Sequence, residues 1–269
     1  MKRREFLKAG VGASAALMAE RAGVAQTANA ANAGKPRQYY ELRKYLLEQG
    51  PQVQGAAEYV GKALIPAMNR MGISPVGAFN LQIGPETPAL YVLLPSTNLE
   101  TLVGARLRLE RDEQFQSAAA SFWNAPATSP AFVRVESTLL IAFEGWPEIT
   151  VPPTTAQKAK RIFQMRTYES PSLRDHARKV QMFHAGEFEI FRKSGFWNVF
   201  FGDALIGARL PHLTYMLSYT EVAQMDELWG KFRDDPEWKK LQQRPEFSYE
   251  PIVSNITNLL LAPTEYSQI

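Results

Sequence analysis

The chain has 269 residues, 30 basic against 27 acidic side chains and no cysteine. The missing cysteines exclude disulfides, thiolate nucleophiles, cysteine-ligated zinc, covalent c-type haem attachment and a lipoprotein anchor. The formal charge of +3 belongs to residues 1–30, where Lys2, Arg3, Arg4, Lys8 and Arg21 face Glu5 and Glu20. The remainder is balanced, so no electrostatic argument favours nucleic acid or an anionic membrane as partner.

The opening "MKRREFLKAGVGASAALMAERAGVAQTANA" resembles a bacterial twin-arginine export signal: an arginine pair, then a weakly apolar Ala/Gly-rich run. Its implied processing site lies near Ala28-Asn29-Ala30, and the implied destination is the periplasm or the exterior. The run is too short, and too interrupted by Glu20 and Arg21, to span a membrane.

A first unit is predicted over residues 37–144. "RQYYELRKY" reads as a strand. Val53, Ala56, Val60, Leu64, Ala67, Met68 and Met71 follow at helical spacing, with Pro66 predicting a kink. Two strands, "SPVGAFNLQI" and "ALYVLLPS", precede a helix for which Thr97 and Glu100 form a capping box. "FVRVESTLLIAF" closes the unit, and "EITVPPTTAQKAK" supplies a linker over residues 145–159.

The second unit, residues 160–263, repeats this order. "RIFQMRTY" is its strand, and Ser170 and Pro171 are expected to start a helix. Leu173, Ala177, Val180, His184, Phe188 and Phe191 form one predicted face, and Gly195 is the stop. "FWNVFFGD" and "HLTYMLSYT" are strands. Thr220 is the expected cap of the next helix, and Asp235 with Pro236 starts a short one. "IVSNITNLLLAP" is the last strand.

Arg43 and Tyr45 recur as Arg166 and Tyr168, Gly72 as Gly195 and Phe115 as Trp238, all 123 residues apart. Tyr91 and Tyr215 miss that spacing by one, which predicts a loop insertion. Each unit is thus β-α-β-β-α-β, the ferredoxin-like order. The predicted fold class is α+β: two tandem ferredoxin-like domains packed sheet to sheet as a barrel with helices outside. Along the first strands Tyr40 and Leu42, and Phe163 and Met165, point one way. Glu41, Arg43 and Tyr45, with Gln164, Arg166 and Tyr168, point the other. If helices cover the apolar set, both Arg-x-Tyr pairs look into a cavity between the sheets.

"YELRKY" and "FQMRTY", the long helix ending in Gly, "YMLSYTEVAQMDELWGKFRDDPEW" and "NITNLLLAP" together resemble the NIPSNAP family. The resemblance covers residues 160–262 well and 38–144 more loosely. It implies tandem domains of the dimeric α/β-barrel superfamily and leaves the activity open.

Candidate ligand-binding residues are Arg43, Tyr45, Arg166, Tyr168 and Trp197. Arginine offers a planar donor fork to a carboxylate, phosphate or enolate, and a tyrosine hydroxyl can donate to the same oxygen. The three histidines, His176, His184 and His212, lack the spacing of a shared metal site. No P-loop, dinucleotide fingerprint, nucleophile elbow or His-Glu-x-x-His motif occurs. The expectation is a small or hydrophobic ligand, or a protein partner, with no cofactor and no metal. Two alternatives stay open: a cofactor-independent monooxygenase acting on a phenolic or quinol substrate, and a haem barrel with His184 as axial ligand. The helical surfaces also leave room for a homo-oligomer.

Overall fold

The computed structural model describes residues 35–269; the predicted export signal lies outside the described residues. Eight strands form one closed barrel: β1 (Tyr39–Leu46), β2 (Gly77–Ile83), β3 (Ala89–Ser96), β4 (Arg134–Ala142), β5 (Ile162–Glu169), β6 (Trp197–Ile206), β7 (His212–Tyr219) and β8 (Asn255–Pro263). Their order around the barrel is β1-β3-β2-β8-β5-β7-β6-β4, and every neighbouring pair is antiparallel. Each half contributes four consecutive strands in ferredoxin-like order. The seams are β2 against β8 and β4 against β6, so no strand keeps an open edge.

The ladders correct one alignment. Arg43 stands opposite Val92 and Arg166 opposite Tyr215, both pairs at the 123-residue offset. No insertion separates the halves here, so Tyr91 is not the counterpart of Tyr215. One residue of slip exchanges the faces of a strand: Tyr91 lines the barrel interior, whereas Tyr215 packs under the helices. The β2–β3 and β6–β7 hairpins match as well, with Gly84 and Gly207 both at φ 157° and Glu86 and Arg209 both at φ 61°.

The barrel lumen is filled. Tyr40, Phe79, Phe163, Phe200, Met216 and Leu261 are wholly buried there, with Leu42 and Met165 alongside. This reverses the predicted face assignment, although the alternation along the strands was read correctly. An eight-stranded barrel has an interior just wide enough for side chains and closed to water all round. Its lining must therefore be the apolar set. The Arg- and Tyr-bearing set faces outward and is covered by helices, with Tyr45 and Tyr168 both buried.

Those helices follow the expected plan with altered joints. In the first half α1 (Pro51–Glu58) passes through a π-helical stretch, Tyr59–Leu64, into α2 (Ile65–Arg70) at Pro66. Then come α3 (Leu99–Leu109) and α4 (Glu113–Trp123). A short α5 (Pro153–Ala156) lies in the linker. In the second half α6 (Leu173–Met182) runs through a π-helical stretch, Phe183–Glu187, into α7 (Phe188–Ser194). Its buried face is His176, Lys179, Met182, Phe183, Glu187, Ile190 and Phe191, and Leu173 is 77 % exposed, contrary to the predicted face. The wider π turn rotates the following residues. It places Glu187 beside Lys179, eight residues earlier.

Gly195 ends α7 in the left-handed conformation, as expected. The caps differ by one or two residues from the predicted ones: Asn98 rather than Thr97 caps α3, and Ser172 rather than Ser170 caps α6. Glu221 rather than Thr220 occupies the cap position of α8 (Val222–Asp234). Asp235 caps α9 (Pro236–Leu241) as expected, accepting from the amides of Glu237 and Trp238. Asp112 caps α4 in the same way, 123 residues earlier.

The tail after β8 returns to the first half. The Gln268 and Ser267 side chains accept from the amides of Val76 and Ala78, and the Ile269 side chain is wholly buried in the lumen cluster. Among the described residues no helix is long and apolar enough to cross a membrane.

Candidate functional site

Two clefts open between the outer sheet face and the helices, one per half. In the second half β5 presents Gln164, Arg166 and Tyr168 outward, α8 crosses over them with Met225, Trp229 and Phe232, and α9 adds Trp238. Together with Asn258 of β8 they enclose a cavity of 760 Å³, within the roughly 300–1,000 Å³ usual for small-molecule sites.

Its floor is a fixed hydrogen-bond network. The Gln164 Oε1 accepts from the Tyr219 hydroxyl at 2.6 Å and the Trp229 Nε1–H at 2.8 Å. Its Nε2 donates to Asn258 Oδ1 at 2.9 Å, so all three contacts set the amide orientation. The Tyr168 and Tyr215 hydroxyls pair at 2.9 Å. The Arg166 guanidinium lies 4.5 Å from the Trp229 ring centre and 5.2 Å from that of Tyr168, a cation–π arrangement on two aromatic faces.

Behind this floor Lys179 Nζ donates to Glu187 Oε2 at 2.7 Å, with both side chains buried. Burial pushes the Lys179 ammonium below its ordinary value and the Glu187 carboxyl above, and their mutual contact opposes both shifts. The Arg166 charge also acts on Glu187, favouring its ionised form. Burial holds the Tyr168, Tyr215 and Tyr219 hydroxyls well above their ordinary value. They are hydrogen-bonding phenols, not bases.

In the first half β1 presents Glu41, Arg43 and Tyr45 outward. Arg43 grips Glu41 with Nε to Oε1 at 2.6 Å and a terminal nitrogen to Oε2 at 2.9 Å, a two-pronged ion pair. Ser137 Oγ donates to the same carboxylate at 2.9 Å. Above this pair lies a cavity of 580 Å³ walled mainly by Tyr59, Leu102, Phe122, Trp123, Phe132 and Leu139. Tyr59 and Phe122 stack with ring centres 4.0 Å apart, and Tyr45 meets both edge-on.

The five predicted ligand residues therefore divide. Arg43 with Tyr45 and Arg166 with Tyr168 line two separate clefts, not one inter-sheet cavity. Trp197 joins neither: it is 37 % exposed and its Nε1–H donates to the Thr150 carbonyl of the linker at 3.0 Å. His184 is likewise a linker clamp. Its Nε2 accepts from the Gly145 amide at 3.1 Å and its Nδ1 hydrogen goes to the Val180 carbonyl at 2.9 Å. With both ring nitrogens engaged, neither is presented to a haem iron in this structure. His176 pairs with Asp203 at 2.6 Å. His212 sits at one barrel mouth, where a smaller space of 360 Å³ is what remains of the predicted inter-sheet cavity.

Gln164, Lys179, Glu187 and Asn258 were not among the predicted site residues. One signal was present: the 123-residue spacing sets Gln164 against Glu41, and Lys179 and Glu187 against Ala56 and Leu64. A polar-for-apolar exchange at two buried positions of a duplicated fold marks where the copies differ in chemistry.

The NIPSNAP family model matches residues 40–143 and 163–268, more than half of the chain. Among solved structures the barrel is similar to a candidate monooxygenase from Lactobacillus acidophilus, with TM-score 0.54 and 8 % identity over 84 % of this chain and 94 % of that one. A candidate monooxygenase from Fusobacterium nucleatum gives TM-score 0.53 at 8 % identity over 85 % and 93 %. An uncharacterised NIPSNAP-like domain protein from Burkholderia xenovorans is 18 % identical over 40 % of this chain and 88 % of its own, with TM-score 0.36. No curated protein matches the chain. At such identities the two full-length neighbours share the fold alone, and it is the double match to the family model that decides the assignment: the chain belongs to the NIPSNAP family, with two copies of its domain closed into one barrel.

Proposed function

We propose that the second-half cleft binds a small, flat, largely apolar molecule bearing an anionic or phenolic oxygen. The observation that carries this reading is Arg166, held against Trp229 and Tyr168 on the floor of a cavity of 760 Å³. Arg166 and Arg233 line that cavity together with Glu187 and Asp226. Trp229, Phe232 and Trp238 supply apolar walls for a ring. The test is native mass spectrometry of the full chain as isolated. A bound mass released on denaturation, and lost in Arg166→Gln with an unchanged circular dichroism spectrum, is expected. Retention of that mass by the variant overturns the reading.

A second reading makes the cleft an oxidoreductase site. It is favoured by the two candidate monooxygenases and by an anthrone oxidase-like protein, 9 % identical with TM-score 0.50 over 86 % of this chain. A substrate methylene conjugated through aromatic rings with a ketone gives up a proton to solvent and is held as its enolate by Arg166, and that proton and the second methylene hydrogen end in the water formed. Oxygen then takes the electrons: one oxygen atom becomes the new carbonyl and the other leaves as water. Oxygen uptake with anthrone, reduced at least ~10-fold in Arg166→Gln, tests this; the fold-change corresponds to one missing charge-assisted contact.

A further inference from the structure

We infer that the first-half cleft is a separate site for an uncharged lipid-like molecule, a long aliphatic chain or fused-ring compound with at most a hydroxyl head. The inference stands apart from the anion reading of the second half and rests on different residues.

Three observations carry it. Above the polar floor of Glu41, Arg43 and Ser137, and apart from Arg106, whose guanidinium is taken by Glu110 at 2.6 Å, the cavity of 580 Å³ is walled by aromatic and aliphatic side chains, and its size falls in the range that encloses a small ligand. Its floor is electrically closed. Glu41 and Arg43 satisfy each other in two parallel hydrogen bonds, and Ser137 donates to the same carboxylate. A ligand carboxylate or phosphate reaching that floor would have to displace Glu41 or lie beside it, and like charges in a desolvated site repel. A hydroxyl needs neither, since it can donate to Glu41 while the ion pair stays intact. Finally, the apolar lining continues to the rim. Val103 of α3 is 59 % exposed and Ile206 of β6, which crosses from the other half, is 64 % exposed, and both line the cavity. With Arg106 already paired to Glu110, this apolar rim suits a ligand that is apolar along its length. The corresponding floor in the second half has Gln164 in place of Glu41, so the two clefts sort ligands by charge.

The test uses the full chain and the neutral fluorophore N-phenylnaphthylamine, displaced by dodecanol or by dodecanoate. Expected are saturable binding and displacement by dodecanol at concentrations at least ~10-fold lower than by dodecanoate, an energy ratio of the size one charge-assisted contact supplies. Val103→Trp and Ile206→Trp narrow the rim at exposed positions that do not threaten folding, and each should weaken fluorophore binding at least ~10-fold, against little change in Arg166→Gln. Glu41→Gln should bring dodecanoate up to the potency of dodecanol. The inference is overturned by absence of fluorophore binding, by equal potency of the two displacers in the unaltered chain, or by rim variants that bind normally. Loss of fluorophore binding in Arg166→Gln but not in the rim variants also overturns it, by assigning the probe to the second cleft. The anion reading is untouched by any of the first three outcomes.

Discussion

In the first half Arg43 is held by a carboxylate two residues away on its own strand. In the second half that strand position is Gln164, and a carboxylate acting on Arg166, Glu187, comes from a helix, where it is shared with Lys179. The same Arg-x-Tyr strand thus sits in two electrostatic settings. One is a self-contained pair under an apolar vault; the other brings Arg166 and Lys179 to a helical carboxylate, Glu187, under indole rings. A buried arginine has to be compensated in either case, and in the second arrangement it also lies against two aromatic faces that border a cavity. Strand sequence alone does not reveal an arginine's role, because the compensating group can lie in another element.

The largest expected effect breaks the comparison at the buried pair. Lys179→Met leaves Glu187 buried without its ammonium and should cost about 3–5 kcal/mol in urea denaturation. Lys179→Met combined with Glu187→Leu replaces the pair by apolar side chains of similar volume, as the first half is apolar at Ala56 and Leu64, and should recover all but ~1 kcal/mol, since such paired replacement of a buried ion pair is often near neutral. A double variant as unstable as the single one would mean that the pair holds the π-helical turn in place.

Next in size, Arg43→Met should cost about 1.5–3 kcal/mol by stranding Glu41, with Glu41→Leu added on top restoring most of it. Gln164→Leu removes the shared acceptor of Tyr219 and Trp229, for about 1–2 kcal/mol, and should shift the tryptophan emission. The same change made at Glu41 should leave emission nearly unaltered.

The smallest effect is a pH dependence confined to the second half. Burial holds the His212 imidazole below its ordinary value of 6.5. The unfolded chain then binds this proton at higher pH than the folded one, so stability is full above about 6.5 and falls as pH drops toward the folded value. His212→Asn should flatten the decline of Tm below pH 6.5. Ala89 occupies the matching position in the first half and contributes no such slope.

The order of elements was legible because hydrophobic periodicity, glycine stops and turn residues are local signals. The duplication was legible because a few aromatic, arginine and glycine positions recur at one spacing. The direction in which β1 and β5 present their polar set was not, since alternation defines two faces without saying which one is enclosed. That depends on closure of all eight strands, a property of the whole chain. Lys179 and Glu187 were hidden for a related reason: a regular helix sets residues eight apart about 12 Å from each other along its axis, and the π-helical turn between them has no strong sequence mark. Arg166 and Tyr168 stand out in the sequence because an Arg-x-Tyr step recurs 123 residues after Arg43 and Tyr45. Trp197 and His184 attract the same attention although their ring nitrogens hold the linker, since an aromatic or imidazole side chain near a linker looks no different in sequence from one near a ligand.

Those two residues give the linker a further meaning. Because Trp197 and His184 fasten it along the second half, the barrel has a front and a back although its strands obey a twofold pattern. A dimer of identical subunits must show the same side chains at both of its clefts. Joined in one chain and pinned in one direction, the two copies are free of that rule, and a change such as glutamate to glutamine can be confined to one cleft. Covalent linkage here is what allows a symmetric architecture to hold two different sites.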